Sequence, residues 1–116
     1  MKIVADFHIH SPYSRAVSKE MTLENLDVWA GLKGITVMGT GDFTHPKWIQ
    51  EIKAKLEPAE VGLFVLKGHP APKTRFILTV EISSIYSKNG RTRRIHNIIF
   101  MPSVASAEKL NAALGV

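Results

Sequence analysis

The sequence contains no cysteine among its 116 residues. Without thiols the chain cannot form disulfide bonds, thiolate zinc sites or cysteine nucleophiles, so any bound metal must rest on histidine or carboxylate side chains. It also lacks a cationic N-terminal region followed by an apolar run, and no stretch is apolar enough to span a membrane. We therefore expect a cytoplasmic protein that is not bound to a membrane.

The composition is that of one modest domain, residues 1–116. Hydrophobic residues make up 45% of the chain, which is enough for a core. Fifteen Lys and Arg against ten Asp and Glu give a net charge of +5, which modestly favours a polyanionic partner such as nucleic acid. A charge of this size is ordinary for a small domain.

Two histidines stand two residues apart near the N-terminus, in the segment "VADFHIH" (4–10). Alternation over 2–10 predicts a first β-strand, whose side chains point to opposite faces in turn. Asp6, His8 and His10 would then share one face. The apolar residues of the other face would enter the core: Ile3, Ala5, Phe7 and Ile9.

The rest of the chain alternates helix and strand signals, as in an α/β protein. A loop over 11–21 precedes a helix capped by Thr22 and stopped by Gly34, and a buried strand follows over 35–39. This order is one βαβ unit. Three further elements are predicted: a helix from Pro46 to Pro58, a strand over 61–66 and a closing helix over 106–114.

Two β-rich runs within residues 76–101 flank the dipeptide Asn89-Gly90. Asn-Gly is the strongest short signal for a β-hairpin, because both central residues of a type I′ turn need positive φ. Opposed residues are then equidistant from the turn, so Ser83 faces His96. Glu81 and His96 become diagonal neighbours on one face, within reach of a shared ion.

Four of the five histidines fall at ends of predicted strands or helices, where α/β folds gather their sites. With the nearby carboxylates they form a set of candidate metal ligands: His8, His10, Asp42, His45, Glu81 and His96. A single strand histidine is more often structural, but jointly these residues favour a divalent-metal site. His45 also precedes Pro46 at a helix start, so plain capping is an equal alternative for it.

The remaining motifs give weaker indications of function. Four cations flank the predicted turn: Lys88, Arg91, Arg93 and Arg94. They would bind nucleic-acid phosphates, although a solvated hairpin end explains them more simply. "GTGDFT" (39–44) is not a dinucleotide fingerprint, because Thr44 stands where glycine is required. His69 receives no role, and Trp29 and Trp48 lie on apolar helix stripes and are expected in the core.

Four short motifs in this order together resemble the PHP (polymerase and histidinol phosphatase) family of metal-dependent phosphoesterases: "DFHIHS" (6–11), "TGDFTH" (40–45), "VEIS" (80–83) and "RIHN" (94–97). The wording "GTGDFTHP" and "TVEISSIYSKNG" is most similar to the endonuclease Q branch, which often carries a UvrD-helicase-like label. The resemblance covers nearly the whole chain. It implies the N-terminal portion of a distorted seven-stranded β/α barrel that holds up to three ions, zinc or manganese.

The resemblance also implies a role for each ligand. His8 and His10 would bind one ion, and Glu81 would bridge to a second ion held by His96. The remaining candidates belong to a third ion: His45 as its ligand, and Asp42 as a ligand or the close neighbour of one. Glu81 and Asp42 are the expected catalytic side chains, because ions held there would activate water and neutralise the phosphate.

The implied activity is metal-dependent hydrolysis of DNA beside deaminated bases, which must leave the base stack to be read. The sequence stops at Val116, before counterparts of the family's later histidine and Asp-x-His ligands. We therefore expect the N-terminal part of a PHP domain, with sheet edge and core surface exposed. Two alternatives stay open: a phosphatase of small phosphate monoesters, similar to histidinol-phosphate phosphatases, and a non-catalytic nucleic-acid-binding module.

Overall fold

The computed structural model describes residues 2–15 and 17–116; the predicted loop 11–21 includes Ala16, which lies outside them. The elements follow in chain order: β1 (Ala5–Asp6), α1 (Leu23–Lys33), β2 (Val37–Gly39), α2 (Pro46–Lys55), β3 (Leu56–Pro58), β4 (Phe64–Leu66), β5 (Arg75–Lys88), β6 (Arg91–Met101) and α3 (Val104–Leu114). In the described part of the chain, no helix has the length and apolar content that crossing a bilayer requires.

Six strands form one mixed sheet. Strands β1, β2, β5, β4 and β3 lie side by side in that order, and β6 pairs with β5. Strand β2 runs parallel to both β1 and β5, whereas β4 and β6 run antiparallel to β5. The predicted α/β class and the βαβ unit β1-α1-β2 are confirmed. The sheet does not close on itself in the described residues, so the barrel implied by the family resemblance is not confirmed.

The hairpin of β5 and β6 has the predicted turn and register. Asn89 and Gly90 have φ values of +54° and +71°, the positive values that a type I′ turn needs. Ser83 lies opposite His96 and Glu81 lies opposite Ile98. This long ladder fixes which side chains of the two strands share a face.

Buried side chains from α1, α2, β2, β4 and β5 make one apolar core. Its largest member, Trp48, is 1% exposed, as predicted, whereas the prediction for Trp29 is wrong because that side chain is 55% exposed. Helix α1 buries the stripe formed by Leu23, Leu26 and Ala30. At about 100° per residue, Trp29 lies roughly a quarter turn from the centre of this stripe.

The predicted first strand is wrong in extent, because only Ala5–Asp6 joins the sheet. Asp6 Oδ1 accepts a hydrogen bond from His8 N at 3.1 Å, a local bond that competes with the ladder. The expected core row is also wrong at Ala5, which is exposed, and at Ile3 and Phe7, which are 59% and 37% exposed. The ring of Phe7 instead packs edge to face on that of Phe100, with centroids 5.1 Å apart.

Four other boundaries move, and one of them is the start of β2, which lies at Val37 and not at residue 35. Helix α2 ends at Lys55 and not at Pro58, since Leu56 is already extended and pairs in β3. Strand β4 begins at Phe64 rather than at residue 61. Helix α3 begins at Val104, because Ser103 forms a capping box with Ser106 and extends the helix N-terminally.

Candidate metal centre

Strand β5 places Glu81 in the middle of the candidate metal centre. His96, on the same face of the hairpin, brings Nδ1 to 2.8 Å from Glu81 Oε1. Because a carboxylate only accepts, this Nδ1–H donates and leaves Nε2 of His96 with its lone pair. Burial raises the pKa of Glu81, but the His96 hydrogen bond and the fields of the His8 and His10 rings outweigh burial, so the pKa lies below its ordinary value.

His8 and His10 reach Glu81 from the segment that follows β1. His8 Nε2 contacts Glu81 Oε2, and His10 Nε2 lies 3.6 Å from the same oxygen. One ligand atom from each of the three residues lies within 4.8 Å of the other two. We call His8, His10 and Glu81 the metal-binding group, after the ion that their ligand atoms could hold.

The metal-binding group fits a divalent cation on the chemistry of its donor atoms. Glu81 Oε2 is buried, and within the described residues it has no hydrogen-bond partner, although His8 Nε2 contacts it. Two imidazole nitrogens therefore converge on one buried carboxylate oxygen. Zinc accepts this mixture of nitrogen and oxygen ligands, and imidazole with carboxylate also suits other divalent first-row metals.

Asp42 orients His10 from the loop after β2. Its Oδ1 lies 3.2 Å from His10 Nδ1, and its Oδ2 accepts a hydrogen bond from Ser11 N at 2.7 Å. The His10 Nδ1 must donate to the carboxylate, so Nε2 keeps its lone pair on the side of Glu81. Asp42 thus lies beside a candidate ligand, and its catalytic role stays a prediction.

The loop 40–43, which carries Asp42, is held against β5 and the His10 segment. Gly41 N donates to Thr79 Oγ1 at 2.9 Å, and Phe43 N donates to Thr79 O at 3.3 Å. Gly41 has a φ of +66°, and a Cβ placed there would collide with Ile9 O. Only glycine allows this close approach, which sets the separation between Asp42 and His10.

His45 has the capping contact that was the alternative to a ligand role. Its Nδ1 accepts a hydrogen bond from Lys47 N at 3.2 Å, and its ring stacks on Tyr13 with centroids 4.5 Å apart. It is not part of the metal-binding group. It does line the same cleft, of about 530 Å³, as Asp42 and Glu81. Its role toward a third ion stays a prediction.

The four candidate nucleic-acid-binding cations lie on the exposed end of the hairpin: Lys88, Arg91, Arg93 and Arg94. The hairpin brings them together, but it keeps them several residues along the strands from Glu81.

Sequence reasoning missed the supporting contacts of the site, chiefly Thr79 and Tyr13. Thr79 lies two residues before Glu81 and is 1% exposed, yet a buried threonine in a strand gives no sequence signal of its own.

No protein-family model matches the chain. An uncharacterised protein of Methanocaldococcus jannaschii is 36% identical over 109 residues, which are 94% of this chain and 11% of that protein. The crystal structure of the lesion-specific endonuclease Q of Pyrococcus furiosus matches 96% of this chain with a TM-score of 0.75 and 30% identity. A complex of endonuclease Q with a 27-mer duplex bearing an abasic lesion at the active site matches 94%, with a TM-score of 0.74 and 33% identity. The chain spans 25% of each of these two structures, so it is similar in sequence and in fold to a quarter of endonuclease Q.

Proposed function

We propose that this chain supplies the first part of the metal centre of a PHP-type, endonuclease Q-like nuclease that hydrolyses phosphodiester bonds in DNA beside deaminated bases. The observation that carries the proposal is the convergence of His8 and His10 on the buried Oε2 of Glu81, which has no hydrogen-bond partner among the described residues. The likeness to a lesion-specific endonuclease supports it, as does the duplex DNA bound in one of the matched structures. Because the chain spans a quarter of those structures, the activity of a whole nuclease is part of the proposal.

The chain's own residues would divide the work. His8, His10 and Glu81 would hold a divalent ion, zinc or manganese, of up to three in a complete domain. Such an ion would lower the pKa of a bound water and would place positive charge beside the phosphate under attack. Asp42 holds His10 in the tautomer that a ligand needs, and His96 fixes the Glu81 carboxylate while offering Nε2 to a further cation.

A DNA phosphodiester suits the surroundings of the metal-binding group better than a small monoester. The cleft beside Asp42 and Glu81 is open to solvent, and the hairpin that carries Glu81 continues into a strongly cationic end. A long polyanion can contact both features at once, whereas a small monoester can reach only the cleft. The monoester phosphatase and the binding module without catalysis are therefore outcomes of the tests below.

The first test measures metal content. The purified chain is reloaded with zinc or manganese, dialysed and analysed for metal beside His10→Ala and His69→Ala. His69 is a matched control, because it is a histidine beside a carboxylate, with Nε2 3.6 Å from Asp27 Oδ2, and is not part of the metal-binding group. We expect at least one ion per chain in the unsubstituted protein and in His69→Ala, and a large loss in His10→Ala. Equal metal content in both variants would refute the ligand assignment.

The second test identifies the substrate class with the metal-loaded chain. Hydrolysis of bis(p-nitrophenyl) phosphate, or cleavage of a deoxyuridine-containing oligonucleotide, would support the phosphodiester reading. Hydrolysis of p-nitrophenyl phosphate alone would favour the monoester alternative. DNA binding that survives chelator, without any cleavage by a longer protein that includes this chain, would favour the binding module.

A further inference from the structure

Strands β5 and β6 extend beyond the core as a two-stranded arm, residues 83–97, in which every residue is exposed. The arm contributes to an elongated molecule of 55 × 30 × 29 Å. It holds four of the chain's fifteen Lys and Arg and none of its ten Asp and Glu. Nearly all of the net charge of +5 is thus concentrated on one thin projection.

The register divides these cations between two faces. Residues directly opposite each other in the hairpin lie on the same face, and along one strand every second residue lies on that face. Arg94, which is opposite Ile85, therefore shares a face with Glu81 and His96. We call the opposite face of the arm the outer face. It carries two successive cross-strand pairs, Tyr86 with Arg93 and Lys88 with Arg91. Three of the four cations therefore point away from the metal-binding group.

We propose that the outer face is a docking surface for the phosphate backbone of duplex DNA, separate from the metal-binding group. This inference rests on the proposed function and names a second contact with the same substrate. Lys88 and Arg91 are directly opposed like charges, which destabilise a strand pair, and the arm has no acidic residue to offset them. Phosphates lying against this face would relieve that repulsion.

The dimensions of the arm agree with a duplex. A two-stranded β-ribbon fits the major groove of B-DNA, which is about 12 Å wide. Seven residues separate Glu81 from Lys88, a span of about 24 Å at roughly 3.4 Å per residue. For a duplex whose axis runs along the arm, the outer face would thus touch phosphates about seven base-pair steps from the one at the metal-binding group, at about 3.4 Å of axis per step. Tyr86, 44% exposed beside Arg93, adds an aromatic surface for a sugar or base.

The test compares two double variants with equal loss of charge. Arg91→Ala/Arg93→Ala removes two cations from the outer face, and Lys19→Ala/Lys109→Ala removes two exposed cations outside the arm. Binding to a fluorescently labelled 27-base-pair duplex is measured by anisotropy, with chelator present, over a salt series. Since each lost phosphate contact lowers the slope of log K against log salt by about 0.9, we expect the outer-face variant to lose about 1.8 and the control much less.

The single variant Arg94→Ala tests which face of the arm contacts DNA, because Arg94 follows Arg93 in the sequence but lies on the opposite face. A loss of slope in Arg94→Ala with none in the outer-face variant would overturn the inference, and so would equal losses in both double variants. Failure of the unsubstituted chain to bind duplex at 50 mM salt would also overturn it. Metal retention and hydrolysis of bis(p-nitrophenyl) phosphate do not need the cations of the outer face, so they report on the proposed function independently.

Discussion

Replacing Gly41 by alanine should damage the fold and the metal-binding group together. The added Cβ would collide with Ile9 O and would lie 2.9 Å from Ile9 C and 3.2 Å from His10 Cα. These are backbone atoms, which cannot rotate away as a flexible side chain could. Either the loop 40–43 or the segment carrying His10 must therefore move, and we expect either movement to disturb the contact between His10 and Asp42.

The expected loss of stability has two parts. Alanine at a φ of +66° costs about 1–2 kcal/mol, because its Cβ approaches the following carbonyl oxygen. Forcing an extra methyl group into a packed site costs about 1–3 kcal/mol more. The sum, about 2–5 kcal/mol, is a large share of the roughly 5–15 kcal/mol by which a domain is stable.

Gly68 provides the matched control, since its φ is +74° and an added Cβ would have no atom within 4 Å. Gly68→Ala should therefore show only the backbone strain, about 1–2 kcal/mol. Urea unfolding followed by circular dichroism gives the free energy of unfolding, and metal analysis after zinc reloading gives the state of the site. We expect Gly41→Ala to be less stable than Gly68→Ala and to retain less zinc.

Free energies of unfolding within about 0.5 kcal/mol of each other for the two alanine variants, the usual range for a substitution that touches nothing, would contradict this prediction. Full zinc content in Gly41→Ala at reduced stability would contradict it as well. In that case the close approach of loop 40–43 to Ile9 would not determine the position of His10.

Two further predictions concern stability. Burial raises the pKa of Glu24, but its hydrogen bond and attraction to Lys55 more than offset this and set the pKa below its ordinary value of 4.5. The pair therefore stabilises the fold above about pH 4.5 by roughly 0.5 kcal/mol, a contribution that Glu24→Gln removes and that vanishes as the pH falls through the folded pKa. Urea midpoints of both proteins measured from pH 7 to pH 3 should converge on acidification, and a constant difference would contradict the pKa direction. Trp48→Phe removes the indole Nε1–H, which donates to Thr40 O at 3.1 Å and to Gly41 O at 2.9 Å. This loss should lower the free energy of unfolding by about 2 kcal/mol at every pH. An unchanged urea midpoint would mean that those carbonyls find other donors.

The features predictable from the sequence were those with local signals. Asn89-Gly90 specifies a turn by backbone conformation alone, and the turn then fixes the whole register down to Ser83 and His96. Thr22 and Gly34 likewise mark the ends of α1, because a cap needs only the next three residues or a positive φ. Such signals do not depend on which distant segment packs nearby.

The features that sequence reasoning missed depend on distant contacts. Alternation over 2–10 could not reveal that Asp6 would bond His8 N and end the strand after two residues. The exposure of Trp29 follows from the position of the α1 stripe against the core, which one-dimensional spacing determines only to within about a quarter turn. The hydrogen bond from Gly41 N to Thr79 Oγ1 joins residues 38 positions apart, and a single sequence gives no signal for such a contact.

The sequence placed His8 and His10 on one face of a first strand, and although β1 ends at Asp6, the two histidines still meet the Glu81 carboxylate. Their placement cannot come from sheet pairing, because neither residue belongs to β1. It comes from side chains and a close backbone approach: Asp42 holds His10 Nδ1 and Ser11 N, and Gly41 brings that loop against Ile9. The metal-binding group is thus built by the loop after β2 as much as by its own ligands, which is why a change at Gly41, a residue that offers no ligand atom, should affect metal retention.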